Sequence, residues 1–129
     1  MINKIFLILT FFTYSFFGCW AMFSPESYTQ AIELSINNNF GSSEVRSVLG
    51  GINVFIALFS LVALFKSKHE KLFFQFFLFI LSGILLGRVV TFFVGEFTSA
   101  FILGVTSFEL VYFIFLLLAL KNMEKRVFK

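Results

Sequence analysis

Residues 72–94 read LFFQFFLFILSGILLGRVVTFFV, a run in which Arg88 is the first and only charged side chain. As an α-helix this stretch rises about 35 Å, enough to cross a hydrocarbon core of about 30 Å. Inside such a core every backbone N–H and C=O needs an internal partner, and a helix supplies all of them from its own chain. The segment therefore predicts a membrane-spanning helix. Three further stretches repeat the pattern, at roughly residues 5–23, 48–65 and 99–120. Four spans in one short chain predict a single all-α domain over residues 1–129, an integral membrane antiparallel four-helix bundle.

Composition supports the same solvent. With 59% hydrophobic and 13% charged residues in 129, the chain lacks the polar groups to cover a soluble globule of its size. Phenylalanine supplies 23 residues and aspartate none, which codon bias and selection for lipid-facing bulk explain equally well. The net charge of +3 does not point to nucleic acid, because the basic residues stand in short runs beside apolar segments rather than in one patch. One cysteine, Cys19, allows no disulfide within the chain. The one histidine, His69, sits in a charged loop. Cys/His metal binding and a bis-histidine haem are both without ligands, and no cofactor is expected.

The first stretch also has the shape of a secretory signal, with Lys4 before an apolar run that ends at Gly18, Cys19 and Ala21. Phe16 and Phe17 directly before Gly18 and Cys19 fit a cleavage site poorly, so the segment reads as a retained helix. Lys4, then Lys66, Lys68 and Lys71, then Lys121, Lys125, Arg126 and Lys129 all fall at one end of an even-numbered bundle. The positive-inside rule makes that end cytoplasmic, with both termini and His69 inside and Glu33 and Glu96 outside, in a cytoplasmic (inner) membrane. Trp20 falls where an outer aromatic belt holds the end of the first helix. The basic loop and tail can contact anionic lipid, but topology alone accounts for them.

Between the first two spans, Ser24, Pro25 and Glu26 form an N-cap, a first-turn proline and a dipole-favoured acid. A short amphipathic helix over about residues 25–36 is expected there. Tyr28, Ala31, Ile32 and Ile36 share one face, Glu26, Gln30 and Glu33 the other, and Asn37, Asn38 and Asn39 close it. It reads as a lid on the outer end of the bundle in preference to a partner-binding surface. The short loop from Gly95 to Thr98 makes helices three and four antiparallel neighbours.

Ionisable groups within a span cost about 2.5 to 3.5 kcal/mol and mark functional candidates. Arg88 lies about 10 Å in from the outer end of helix three and Glu109 about 15 Å into helix four. Helical Cα–Cβ bonds lean toward the N-terminus, so Arg88 leans inward, Glu109 leans outward, and the two converge in height. Asn53 comes to a similar level on helix two. Arg46, Gly50, Asn53, Ala57 and Ser60 form a small, polar stripe that should face the interior. Arg46 alone reads as a snorkelling residue. Glu44 complements a helix dipole. Thr106 and Tyr112 flank Glu109 by one turn each and either face the same cavity or merely pack. Gly83 and Gly87 make a GxxxG that permits close helix approach, a common pattern by chance.

The combination of Ser24 and Pro25, Phe40 and Gly41, Glu44, Arg46, Gly50 and Gly51, Gly87 and Arg88, and Glu109 in the last helix resembles a family of small bacterial four-helix membrane proteins catalogued as a domain of unknown function. The resemblance runs from about Phe23 to Leu120. The chain departs from the alanine-rich composition and the acidic turn after helix three usual in such proteins, having phenylalanines and Gly95 followed by Glu96. It implies a fold and a membrane location, and no reaction.

Two readings of function follow. The first is a non-enzymatic accessory or interaction subunit of a membrane assembly, with lipids and other integral membrane proteins as partners and Arg88 with Glu109 as an internal tie. The second is a binding or transport module whose outer-half pocket, lined by Arg88, Glu109 and Asn53, takes a small anionic or amphipathic molecule. A membrane enzyme ranks third, since no nucleophile or metal set is found and only a glutamate acid/base with an arginine anion holder remains conceivable. A closed ion pair favours the first reading and a cavity beside Arg88 the second.

Overall fold

The computed structural model describes residues 1–95 and 99–127, with side chains through residue 124. Glu96, expected to face outward, and the side chains of Lys125, Arg126 and Lys129 in the basic tail lie outside the described residues. In chain order the elements are α1 (Ile2–Phe23), α2 (Pro25–Ala31), α3 (Asn39–Glu44), a π-helical segment (Val45–Gly51), α4 (Ile52–Phe65), a 3-10 turn (Ser67–His69), α5 (Glu70–Val94) and α6 (Ala100–Val127). Four helical stretches are long and apolar enough to cross a membrane: Ile2–Phe23, Asn39–Phe65, Ser67–Val94 and Ala100–Glu124. The second is continuous through α3, the π segment and α4, and so begins nine residues before the apolar run that betrays it in the sequence. The chain forms two compact units, Met1–Glu70 and Lys71–Lys129.

The first unit is an antiparallel hairpin of α1 and the second span, built around missing side chains. A Cβ on Gly18 would lie 2.8 Å from the backbone nitrogen of Val54 and 3.1 Å from the carbonyl oxygen of Gly50. One on Gly50 would lie 3.1 Å from the backbone nitrogen of Met22. Two helix backbones therefore touch at this level, which only hydrogen in place of a side chain permits. Farther along, the Ser60 hydroxyl donates to the Leu7 carbonyl at 2.7 Å, and both residues are buried. The stripe of Gly50, Ala57 and Ser60 thus faces α1, with Asn53 half-buried beside it.

The lid ends sooner than residues 25–36 suggest. Ser24 is its N-cap and Pro25 its first residue, but no side-chain bond caps it, and the helix stops at Ala31. Glu33 takes φ of 60°, while Glu33 N–H donates to Gln30 and Leu34 N–H to the Thr29 carbonyl. That is the hydrogen-bond pattern of a Schellman C-terminus, here with glutamate in the left-handed position usually given to glycine. Asn37–Asn39 do not end the lid; Asn38 begins the next helix, its Oδ1 accepting from the Gly41 N–H at 2.8 Å. Three of the four residues expected on the apolar face pack inward, while Ala31, at the helix end, is exposed. Ala21, Tyr28 and Val45 form a buried cluster with Trp20, Ile32, Ile36 and Leu49 packed on it, whereas Glu26 and Gln30 are exposed. Trp20 meets Tyr28 edge-on at 5.6 Å and donates through Nε1 to Ser27 at 3.2 Å. Burial pushes the Tyr28 phenol above its ordinary 10.0. At the opposite end of α1, Asn3 Nδ2 donates to Glu70 at 2.6 Å.

The second unit pairs α5 with α6. Phe74 meets Phe115 edge-on and Phe77 meets Tyr112 edge-on at 5.9 Å, while Arg88 meets Glu109. Residue numbers rise on one helix as they fall on the other, so the two run antiparallel. No glycine brings them together: a Cβ on Gly83, Gly87 or Gly104 would find nothing within 4 Å. The GxxxG of α5 makes no close approach among the described residues. Side-chain length, not its absence, spans this interface.

Candidate functional site

Arg88 stands on the face of α5 that also carries Leu85, Val89 and Phe92, at one-turn spacing. Glu109 stands on α6 one turn after Thr106. Their side chains meet twice, Nε to Oε2 at 3.0 Å and Nη2 to Oε1 at 2.9 Å. This is a side-on bidentate pair in which each carboxylate oxygen receives one N–H. Residue count sets Arg88 and Glu109 about one turn apart in height, and their side chains nonetheless meet. The Glu109 side chain is 11% exposed and the Arg88 side chain 32%. Glu109 is the more enclosed partner of the pair.

A groove of about 240 Å³ lies along the same hairpin, lined by Leu85, Arg88, Val89, Phe92, Thr106 and Leu110. Its wall is apolar, so Arg88 contributes its aliphatic stem there and not its charge. Glu109 and Tyr112 are not on that wall. Tyr112 is buried and packs at a tilt on Phe108, ring centres 4.5 Å apart, as well as meeting Phe77.

Thr106 behaves differently from its neighbours. Ser82, Thr91 and Ser107 each fold the hydroxyl back onto the carbonyl four residues earlier, the ordinary solution for a helical hydroxyl away from water. The Thr106 hydroxyl is buried and has no hydrogen-bond partner among the described residues. The hydroxyl of Thr10, on α1, shares that condition.

The remaining candidates belong to the first unit. Asn53 is half-buried on α4, and Glu44 is exposed at the end of α3. Arg46 is exposed on the π segment, and its Nε donates to the Met22 carbonyl at 3.3 Å. Met22 is the penultimate residue of α1, whose last carbonyls lack helical partners, so Arg46 closes a helix C-terminus with both a donor and a favourable charge. It does not line the interior. The acid-x-arginine and double-glycine motif acquires a structural sense from this: Gly50 admits the backbone of Met22, and Arg46, one turn earlier, bonds its carbonyl. Gly18, whose role in the sequence is masked by its resemblance to a cleavage site, is the residue that completes the contact. The π-helical form of Val45–Gly51 has no signal in composition or periodicity.

Four membrane-crossing helices, one hairpin closed by glycine contact and the other tied by a bidentate ion pair, define a multi-pass helical membrane protein. The chain belongs to the family described as Domain of unknown function (DUF4345), whose model matches residues 2–120. No curated protein and no solved structure matches it.

Proposed function

We propose that this chain is a non-enzymatic accessory or interaction subunit of a membrane assembly, seated in a bacterial cytoplasmic membrane, with Arg88 and Glu109 as an internal tie of the α5–α6 hairpin. The closed, side-on pair carries the reading. Each Glu109 oxygen receives one N–H from the guanidinium, a contact that ties α5 to α6. The exposed surface elsewhere on the spans is aliphatic and aromatic, suited to lipid or to the flank of another span. In-membrane cross-linking followed by native electrophoresis in mild detergent tests it: the 14.8 kDa chain should migrate within a larger heteromeric complex. Migration as a monomer alone, with and without cross-linker, rejects the role.

The proposed orientation places both termini and His69 in the cytoplasm. A Cys19→Ser background carrying Lys68→Cys should resist a membrane-impermeant thiol reagent added outside; labelling there reverses the topology. Lys68 is the better probe because the neighbouring Glu70 already holds Asn3.

The groove beside Arg88 favours a second reading, a binding module for a small amphipathic molecule. Its apolar wall and the partnerless Thr106 hydroxyl are features that a purely structural ion pair does not require.

A further inference from the structure

Side-on pairing leaves Arg88 with donors to spare. A guanidinium carries five N–H groups. Glu109 takes one from Nε and one from Nη2, and Arg88 makes no other hydrogen bond among the described residues. Two of the three left over lie on the end-on edge, one from each Nη, and the third points from Nη1 on the side of the stem. Arg88 stands about 9 Å in from the C-terminal end of α5, a depth within hydrocarbon once the helix is centred on the bilayer. An unmet donor is costly there, and the partly open side chain can receive an acceptor from outside the chain.

Charge decides what kind of acceptor. Glu109 already cancels the guanidinium, so a second anion would add net negative charge to a low-dielectric site, whereas a neutral oxygen would add none. The groove supplies the other half of the specification, because the stem of Arg88 that forms part of its wall also carries the free edge. We propose that the groove and the free edge of Arg88 together bind an uncharged amphipathic molecule through a carbonyl oxygen, with its apolar part between Leu85, Val89, Phe92 and Leu110. The inference rests on the binding-module reading and narrows its ligand from anionic or amphipathic to neutral and carbonyl-bearing. Two membrane sources share that chemistry, the acyl ester of a glycerolipid and the ring carbonyl of a lipid-soluble quinone.

Native mass spectrometry of the full chain released from mild detergent distinguishes them. Diacyl phosphatidylcholine competes with its dialkyl ether counterpart, which keeps the head group and lacks the carbonyls. A short-chain benzoquinone competes with the matching dimethoxybenzene. Dodecyl phosphate serves as the anionic probe. The carbonyl member of one pair should bind at one per chain with about a tenfold or greater preference, the worth of one hydrogen bond from a charged donor. Val89→Phe, which fills the groove, and Arg88→Lys, which keeps a charge for Glu109 but removes the fork, should each bring the preference near one. Thermal unfolding checks that both variants fold, and Arg88→Lys decides the matter if Val89→Phe does not. Equal binding within both pairs, or a preference that neither variant changes, overturns the proposal. Saturable binding of dodecyl phosphate that Val89→Phe abolishes would overturn the neutral ligand while leaving the binding module standing. Absence of saturable binding by every probe removes both.

Discussion

The two hairpins of this protein solve the same problem by opposite means. In lipid there is no hydrophobic drive to press helices together, so association depends on close packing and on polar contacts between helices. The first unit removes side chains: Gly18 and Gly50 let the backbones of α1 and the second span touch, and Ser60 and Arg46 then reach carbonyls across the gap. The second unit extends side chains, with Arg88 and Glu109 meeting head to head and Phe74, Phe77 and Tyr112 in edge contacts. The first design tolerates no added atom at its contact. The second tolerates added atoms but not the loss of one partner.

Adding a side chain at the glycine contact should therefore have the largest effect. Gly18→Leu forces backbone apart from backbone, since even a Cβ would sit 2.8 Å from the Val54 nitrogen. A loss above about 3 kcal/mol is expected, at or beyond the usual range for overpacking. Thermal unfolding in detergent measures it, and a variant as stable as the wild type would show that the backbones can separate without cost.

Next comes the ion pair. Glu109→Leu strands a charge that arginine cannot shed, at about 2.5 to 3.5 kcal/mol. Arg88→Met should cost less, because a lone glutamate can take up a proton. The double variant should recover stability beyond the additive expectation in a double-mutant cycle. Additive losses would mean that the pair contributes no coupling and that the second hairpin is held by its aromatic contacts.

Gly83→Ala and Gly87→Ala should act in the opposite direction to Gly18→Leu. Both sites face open space, so each exchange relieves the conformational freedom of glycine and should gain about 0.5 to 1 kcal/mol. A loss at either site would reveal a close helix partner there and erase the contrast between the hairpins. The smallest effect belongs to Ser60→Ala. It leaves the Leu7 carbonyl without its side-chain donor, and about 0.6 kcal/mol is the usual worth of such a bond between membrane helices. A loss several times larger would place the weight of the first hairpin on this bond rather than on its glycines.

Read from sequence, the four spans and the meeting of Arg88 with Glu109 are both legible, because each depends on local quantities. Span length and apolarity belong to a segment alone, and the depth of a side chain follows from residue count and the lean of the Cα–Cβ bond. The apolar face of the lid was readable for the same reason, but its end was not. Glutamate in place of glycine at the left-handed position gives no local signal for the stop, and the packing of Ile32 and Ile36 on Tyr28 and Val45 accompanies the turn.

The glycines mark the boundary between the two kinds of knowledge. Gly83 and Gly87 carry the recognised spacing, yet a Cβ there would meet nothing among the described residues, whereas one on Gly18 would meet the backbone of the second span. Spacing along one helix states only that a helix can be approached closely. Which helix approaches, and at which level, is a property of two segments at once, so it was decided only when the chain folded back. Arg46 follows the same rule. Its charge and its place near a span end are written in the sequence, but the Met22 carbonyl that it holds comes from a helix more than twenty residues away. Sequence by itself determined that four segments are long and apolar enough to cross a membrane and that an arginine and a glutamate stand at comparable depths in the last two. Tertiary structure alone decided which backbones touch, because close approach requires small residues on both partners at one height.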